Sequence, residues 1–260
     1  MARIENPYVG DLHRGLELAH LLCTAVQQHA FVTILKGGRS YFLSVGGWAG
    51  DNPPLDSRAP YASGAKALEL LWKGAPRPGQ LLCTPTDLSL SLGWKGGVRN
   101  TDYIVGVSKW AEEHDLLLAL IVLYGLQQEV RLHHVGFRYA SIDAYFAASK
   151  LLGAGVDVPA KDHLRRYHRV ESSLTPNGEY WQEIQFFPQG PHTRAVHWDI
   201  ATSDPIGLLM HVANAFGTQP SFFADAGKYD PVGVVWIEGG DGKIMGLMTR
   251  DRWSDPATWQ

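Results

Sequence analysis

The sequence predicts an α+β fold, and three observations lead to that prediction. The chain has 260 residues, of which 45% are hydrophobic and 19% are charged, an ordinary balance for a globular protein. Its 28 glycines and 15 prolines indicate many short elements joined by tight turns. Residues 132–250 contain a twice-repeated order of strand, helix and hairpin with a tight glycine turn. The length suits two domains, which we expect at residues 1–130 and 131–260.

Charge and hydropathy exclude several classes of partner. The net charge is −3, and no basic run is longer than the pair Arg165 and Arg166, so we expect no nucleic-acid partner. The two cysteines, Cys23 and Cys83, are too few for a disulfide framework and lack metal-ligand spacing. The N-terminus has no apolar segment typical of a secretory signal. The longest apolar run, Leu116–Leu126, is too short to cross a bilayer, so we expect a cytoplasmic protein with no membrane partner.

The first half alternates helical and strand patterns. Apolar residues recur at helical spacing from Asp11 onward, and Gly37 and Gly38 permit the positive φ angles of a tight hairpin turn. The run around Leu116–Leu126 indicates a helix packed against a sheet or a second subunit. In chain order, we predict a helix over Asp11–His29, strands over Phe31–Leu35 and Ser40–Val45, a helix over Tyr61–Lys73, a strand over Tyr103–Ser108 and a helix over Trp110–Gln128.

Four segments of this half carry a family resemblance: VTILKGGRSYFLSV, the loop GWAGDNPP, the helix that contains Lys66, and YIVGVSKWAEEHDLLLALIVL. Together they resemble the GlcG/HbpS-like family of haem-degrading-domain proteins over most of residues 10–128. Lys109 and Trp110 depart from the family pattern, which has Gly and a small residue there. The resemblance implies a profilin-like α+β sheet that oligomerises and sometimes binds haem. The family's haem contacts do not map onto this half, so we rank haem below a divalent metal as the cofactor.

The second half contains the repeat. Ser141 in the first copy and Asp204 in the second have the side chains of helix N-caps, and Pro205 suits the first helical position. The first copy is predicted as a strand over Leu132–Tyr139, a helix from Ser141 to Leu152, a turn at residues 175–178 and a strand over Tyr180–Phe187. The second copy is predicted as a strand over Ala195–Thr202, a helix from Asp204 to Gly217, a turn at residues 239–242 and a strand over Lys243–Thr249.

The spacing within the two copies agrees. His134 lies 44 positions before the turn residue Gly178, and His197 lies 45 positions before Gly242. The segments HHVGFRYASIDAYFAASKLLGAGV and TPNGEYWQEIQFF, then HWDIATSDPIGLLMHVANAFG and EGGDGKIMGLM, resemble the two units of the vicinal oxygen chelate superfamily. That superfamily includes glyoxalase, extradiol dioxygenases and bleomycin-resistance proteins. The resemblance implies paired βαβββ units around a shared cavity.

The resemblance also implies a metal site. His134 and His197 match the ligand positions of the first strands, and two imidazoles with one carboxylate would suit Fe(II), Mn(II), Zn(II) or Ni(II). The family's fourth-strand glutamate is replaced by Gln182 in the first unit and Gly246 in the second. Glu183 is adjacent, and a β-bulge would bring it to the ligand face. Either Glu183 or Gln182 is then the third ligand or a catalytic base; the alternative is a metal-free barrel whose histidines are ordinary strand residues.

A basic segment that includes His163, Arg165 and His168 lies between the first helix and the hairpin of the first unit. Arg165 and His168 are therefore further candidate catalytic residues, since an arginine can bind a substrate carboxylate through a bidentate fork. The alternative is a solvated edge strand.

These features favour a small-molecule enzyme, a metal-dependent dioxygenase, isomerase or lyase that acts on an aromatic or oxygen-rich substrate. The alternative is a non-catalytic protein that binds haem or an aromatic ligand. A third hypothesis makes the first half an oligomerisation platform, because the Leu116–Leu126 helix is so apolar, and we expect a homo-oligomer. The chain contains no Walker loop, nucleophile elbow or Rossmann fingerprint, which excludes the chemistry of those motifs.

Overall fold

The computed structural model describes most of the chain in separate stretches. These are residues 29–46, 58–109, 112–127, 130–158, 164–171, 179–186, 188, 196–202, 204–222, 231–238 and 244–250, with isolated helical positions between 12 and 23. The helices are α1 (Ala59–Lys73), α2 (Glu112–Gln127), α3 (Ile142–Leu152) and α4 (Pro205–Phe216). The strands are β1 (His29–Lys36), β2 (Arg39–Gly46), β3 (Leu82–Cys83), β4 (Gly97–Arg99), β5 (Ile104–Ser108), β6 (Val130–Tyr139), β7 (Gly155–Val158), β8 (Leu164–Glu171), β9 (Glu179–Phe186), β10 (Val196–Thr202), β11 (Ser221–Phe222), β12 (Pro231–Glu238) and β13 (Ile244–Arg250).

The first half contains a five-stranded antiparallel sheet in the order β2-β1-β5-β4-β3. The predicted hairpin is confirmed: Gly37 and Gly38 turn with φ angles of 55° and 77°, which a side chain would disfavour. The predicted first helix was extended too far, because β1 already begins at His29 and pairs there with Gly46. Residues 24–28 lie outside the described part of the chain.

Helices α1 and α2 cover opposite faces of this sheet, because the side chains of β5 alternate between them. Val105 and Val107 join the core that contains α2, whereas Gly106 faces α1. A Cβ atom at Gly106 would lie 2.1 Å from the Ser63 carbonyl oxygen, so only glycine allows α1 to approach this closely. Near the end of the sheet, Lys66 of α1 reaches Asp115 of α2 at 2.9 Å.

Helix α2 explains how the two halves are joined. Every residue from His114 to Leu126 is buried, so the helix has no solvent-facing stripe. One continuous core joins Leu120 of α2 and the first sheet to Trp198 and Leu208 of the second half. The Tyr124 hydroxyl also hydrogen-bonds with His211 Nδ1 of α4. The apolar helix is therefore covered within a single chain, and its composition no longer argues for a subunit contact. The α+β class is confirmed, while the narrower profilin-like description stays a prediction.

The second half forms an eight-stranded sheet in the order β11-β12-β13-β10-β6-β9-β8-β7. In each unit the first strand pairs parallel with the fourth, β6 with β9 and β10 with β13, and the two first strands pair antiparallel. This is the predicted pair of βαβββ units. The predicted caps are also confirmed: Ser141 Oγ accepts a hydrogen bond from the Ala144 amide at 3.4 Å, and Asp204 Oδ1 accepts one from Gly207 at 2.9 Å. No helix in the described ranges is both long and apolar enough to cross a membrane.

Candidate functional site

The eight-stranded sheet has one face in contact with α3 and one face opposite it. On the helix side, Arg166 donates to Ser149 Oγ of α3 at 2.9 Å, and Phe186 contacts the ring of Tyr145. Because successive side chains in a strand alternate between faces, the neighbours of Arg166 and Phe186 occupy the opposite face. We call that opposite face the site face.

Strand register brings one histidine and one carboxylate together on the site face. Gly136 of β6 pairs with Glu183 of β9, which pairs in turn with Tyr167 of β8. His134 lies two residues before Gly136 on the same side, and its Nε2 is 3.3 Å from Glu183 Oε2. Both side chains are 0% exposed. The ring of Tyr167 meets the His134 imidazole edge to face, with 5.2 Å between centroids, and so fixes one side of the imidazole.

Two arginines surround the buried carboxylate. Arg165 Nε lies 2.7 Å from Glu183 Oε1. Arg138, four residues after His134 on β6, donates through Nε to Gln185 Oε1 at 3.0 Å. Burial lowers the pKa of Arg138, the negative charge of Glu183 acts in the opposite direction, and the positive charge of Arg165 lowers the pKa further. Arg138 and Arg165 therefore place two positive charges near the carboxylate of Glu183.

Gln182 and His168 lie on the other side of the sheet, so neither belongs to this cluster. They pair with each other in register, on the face that carries Arg166 and α3. His168 Nδ1 donates to the Ala154 carbonyl at 3.2 Å, and burial lowers the pKa of His168, which favours its neutral form. Glu183 needs no bulge to reach the face of His134, because β9 pairs with β6 in uninterrupted register from Trp181 to Phe186.

On the site face, the second unit is described only by its backbone positions. His197 pairs with Gly136 of β6 on one side and with Gly246 of β13 on the other. Its side chain, like the whole of His163, lies outside the described part of the chain. Within the described residues, no three side chains of His, Cys, Asp or Glu form a group that could hold a metal ion. His134 and Glu183 are thus the described donors of the site.

Two participants were missed from the sequence. Arg138 and Gln185 follow His134 and Glu183 at alternating strand positions, a signal that was present but unused.

Comparisons with known proteins give partial similarities. No protein-family model and no curated protein matches the chain. Among solved structures, a catechol 2,3-dioxygenase is 18% identical, with a TM-score of 0.32 over 46% of this chain and 40% of the dioxygenase, so the match spans less than half of that protein. A methylmalonyl-CoA epimerase from Streptomyces coelicolor is 13% identical, with a TM-score of 0.32 over 47% of this chain and 98% of the epimerase. A 4-hydroxymandelate synthase from Streptomyces coelicolor is 8% identical, with a TM-score of 0.31 over 94% of this chain and 90% of the synthase. Because these scores are low, the description of the fold rests on the strand order and register given above.

Proposed function

We propose that this protein is a small-molecule enzyme of the vicinal oxygen chelate type that holds a divalent metal ion with His134 and Glu183. The observation that carries the proposal is the fully buried contact between His134 Nε2 and Glu183 Oε2, 3.3 Å apart on the site face. An imidazole nitrogen and a carboxylate oxygen that lie side by side and away from water are donor atoms that divalent metal ions bind in proteins.

The two donors fit a metal ion in chemistry and in distance. Ligands bound at about 2.1 Å to one tetrahedral or octahedral ion lie roughly 3.0–3.5 Å from each other, and His134 and Glu183 fall within that range. An imidazole and a carboxylate suit Fe(II), Mn(II), Zn(II) or Ni(II). Arg165 contacts the other oxygen of Glu183, which is the position from which an outer-shell group orients a ligand that binds through one oxygen. We propose His197 as a third ligand on the strength of its pairing with Gly136.

Other residues of the site face would act on the substrate. A bound metal ion would polarise a carbonyl or enolate oxygen of the substrate and stabilise the negative charge that develops there. Arg138 and Arg165 add two guanidinium groups to the site face beside Gln185 and Glu183, and this positive charge favours a substrate with an anionic oxygen. Trp181, in register with His134 and buried, adds an aromatic side chain to the same face. Ring-cleaving oxygenation, isomerisation and lyase chemistry are all compatible with this set.

The metal content of protein purified without chelator tests the proposal. We expect about one equivalent of metal in the wild-type protein and a loss of at least about tenfold in metal affinity in His134→Asn and Glu183→Gln. His168→Asn is the matched control, because His168 is equally buried in the same sheet but faces α3. A wild-type protein that binds none of the four metals after dialysis against them would overturn the proposal. Equal metal content in His134→Asn and wild type would overturn it as well.

A second function is favoured by the contact between Arg165 and Glu183. The carboxylate already has a guanidinium partner at 2.7 Å, so the cluster can also stand as an ion pair in a metal-free protein that binds haem or an aromatic ligand. A titration with hemin distinguishes the two. A Soret shift that saturates at one equivalent in metal-free protein would support the binding protein, and the absence of a shift would exclude haem as its ligand. Assembly into a homo-oligomer stays a separate proposal, which the mass in solution tests.

A further inference from the structure

A cavity of about 400 Å³ lies in the first half of the protein, away from the site face. It opens between α1, the turn that joins β1 to β2, and the segment that joins β4 to β5. Leu35, Leu68, Leu71 and Ile104 form its apolar walls. Its volume falls within the range of small-molecule sites in proteins. None of its lining residues belongs to the eight-stranded sheet, so the function proposed above does not use it.

Arg99 lines this cavity and is held in place by the end of α1. Its Nη1 donates to the carbonyl oxygens of Leu70 at 2.7 Å and Leu71 at 3.2 Å. These carbonyls belong to the last turn of the helix, where the helix dipole favours a cation. Arg99 Nε is buried and has no hydrogen-bond partner within the described part of the chain.

A second cation lies across the cavity. Lys36 Nζ donates to the Tyr103 hydroxyl at 2.8 Å and stands 4.7 Å from the centroid of the Tyr103 ring, an arrangement that positions the ammonium group. Arg39 adds a third positive charge at the hairpin turn, and among the described residues of the lining Asp102 alone is acidic. The cavity therefore combines apolar walls with an excess of positive charge.

We propose that this cavity is a second ligand site, which binds a small apolar carboxylate. The apolar part packs against Leu68 and Leu71, and the carboxylate accepts hydrogen bonds from Arg99 and Lys36. A guanidinium and an ammonium group on one cavity are suited to an oxygen anion, and leucine side chains favour an aryl or alkyl group over a sugar or a free phosphate. The site is independent of the metal proposed for His134 and Glu183.

Calorimetry with 1-naphthoate as the probe tests this proposal, with 1-naphthamide as its uncharged counterpart. We expect saturable binding of one naphthoate per chain and at least about tenfold weaker binding of the amide. Leu71→Glu places a negative charge in the lining at a side chain that is already 46% exposed, so the variant should fold, and naphthoate binding should fall at least about tenfold. Arg99→Gln should reduce it similarly.

Lys73→Gln is the matched control for charge. Lys73 lies two residues beyond Leu71 on the same helix, pairs with Asp87 and does not line the cavity, so this variant should bind naphthoate like wild type. Equal binding of naphthoate and naphthamide would overturn the proposal, as would undiminished binding in both Leu71→Glu and Arg99→Gln. The His134→Asn variant should also bind naphthoate normally. Loss of naphthoate binding in that variant alone would place the ligand on the site face and overturn the second site.

Discussion

Arg165 Nε lies 2.7 Å from Glu183 Oε1, and this contact joins a partly exposed cation to a fully buried anion. The Arg165 side chain is 25% exposed, whereas Glu183 is 0% exposed. The carboxylate has therefore lost its water completely and depends on its protein neighbours, while the guanidinium keeps part of its hydration. Removing the arginine should therefore destabilise the protein, because the buried carboxylate of Glu183 loses its guanidinium partner.

A double-mutant cycle measures this dependence. We expect Arg165→Gln and Glu183→Gln to show a coupling free energy of about 1–3 kcal/mol in urea unfolding at pH 7. The pair formed by Arg166 and Asp157 is the control, because its side chains are 32% and 68% exposed. Its coupling should stay below about 1 kcal/mol. Couplings of equal size in the two cycles would show that burial of Glu183 does not strengthen its contact with Arg165.

Two glycines test the packing of α1 on the first sheet. Gly106→Ala would place a methyl group 2.1 Å from the Ser63 carbonyl oxygen and 3.1 Å from the Ala67 amide nitrogen, so the backbone of α1 must move. We expect a loss of about 3 kcal/mol in the free energy of unfolding, measured with urea. Gly64→Ala in α1 meets only Thr33 Oγ1 at 4.0 Å and should gain about 0.5–1 kcal/mol from helix propensity. A Gly106→Ala variant as stable as wild type would contradict the close crossing.

His29 makes stability depend on pH. Its Nε2 lies 2.7 Å from Ser44 Oγ, and burial, followed by the positive charge of Lys109, lowers its pKa to about 4. The unfolded chain has a histidine pKa of about 6.5 and takes up the proton first as the pH falls. The contribution of His29 is complete above pH 6.5 and is lost progressively as the pH falls towards 4, by about 2–3 kcal/mol.

The variant His29→Gln keeps a hydrogen-bonding group beside Ser44 but cannot titrate in this range. Urea unfolding at pH 7.5 and pH 4.5 should show a smaller loss of stability in the variant than in wild type. The comparison removes the effect of the carboxylates, since both proteins carry the same ones. Identical losses would assign the acid sensitivity to groups other than His29.

Patterns within a few residues predicted most of the helices, strands and turns. The features that were missed depend on pairing between strands that are far apart in the sequence. The caps at Ser141 and Asp204 and the turn at Gly37 are encoded within a few residues, so these boundaries were predicted nearly correctly. Counting from the turn glycine placed the ligand position at Gln182. Adjacent strand residues point to opposite faces of the sheet, so this counted position lies on the face opposite Glu183. The partner strand β6 sets the register of Glu183, and sequence spacing does not contain that information.

The same limit applies to the cavity and to α2. Lys36 and Arg99 are far apart in the chain and line the same cavity only because β1 and β4 flank β5. The apolar run of α2 predicted burial correctly, but composition alone does not distinguish a sheet of the same chain from the surface of another subunit.

The complete burial of α2 has a consequence for how the chain can be divided. Cutting it after residue 127 would expose Tyr124 and its neighbours on α2, which pack against residues of both halves. The first piece would then expose a wide apolar surface to water and tend to aggregate. The second piece would lose the α2 side chains that pack against its own core. The chain passes from the first sheet to the second near residue 130, but one continuous hydrophobic core contains residues from both sides of that point.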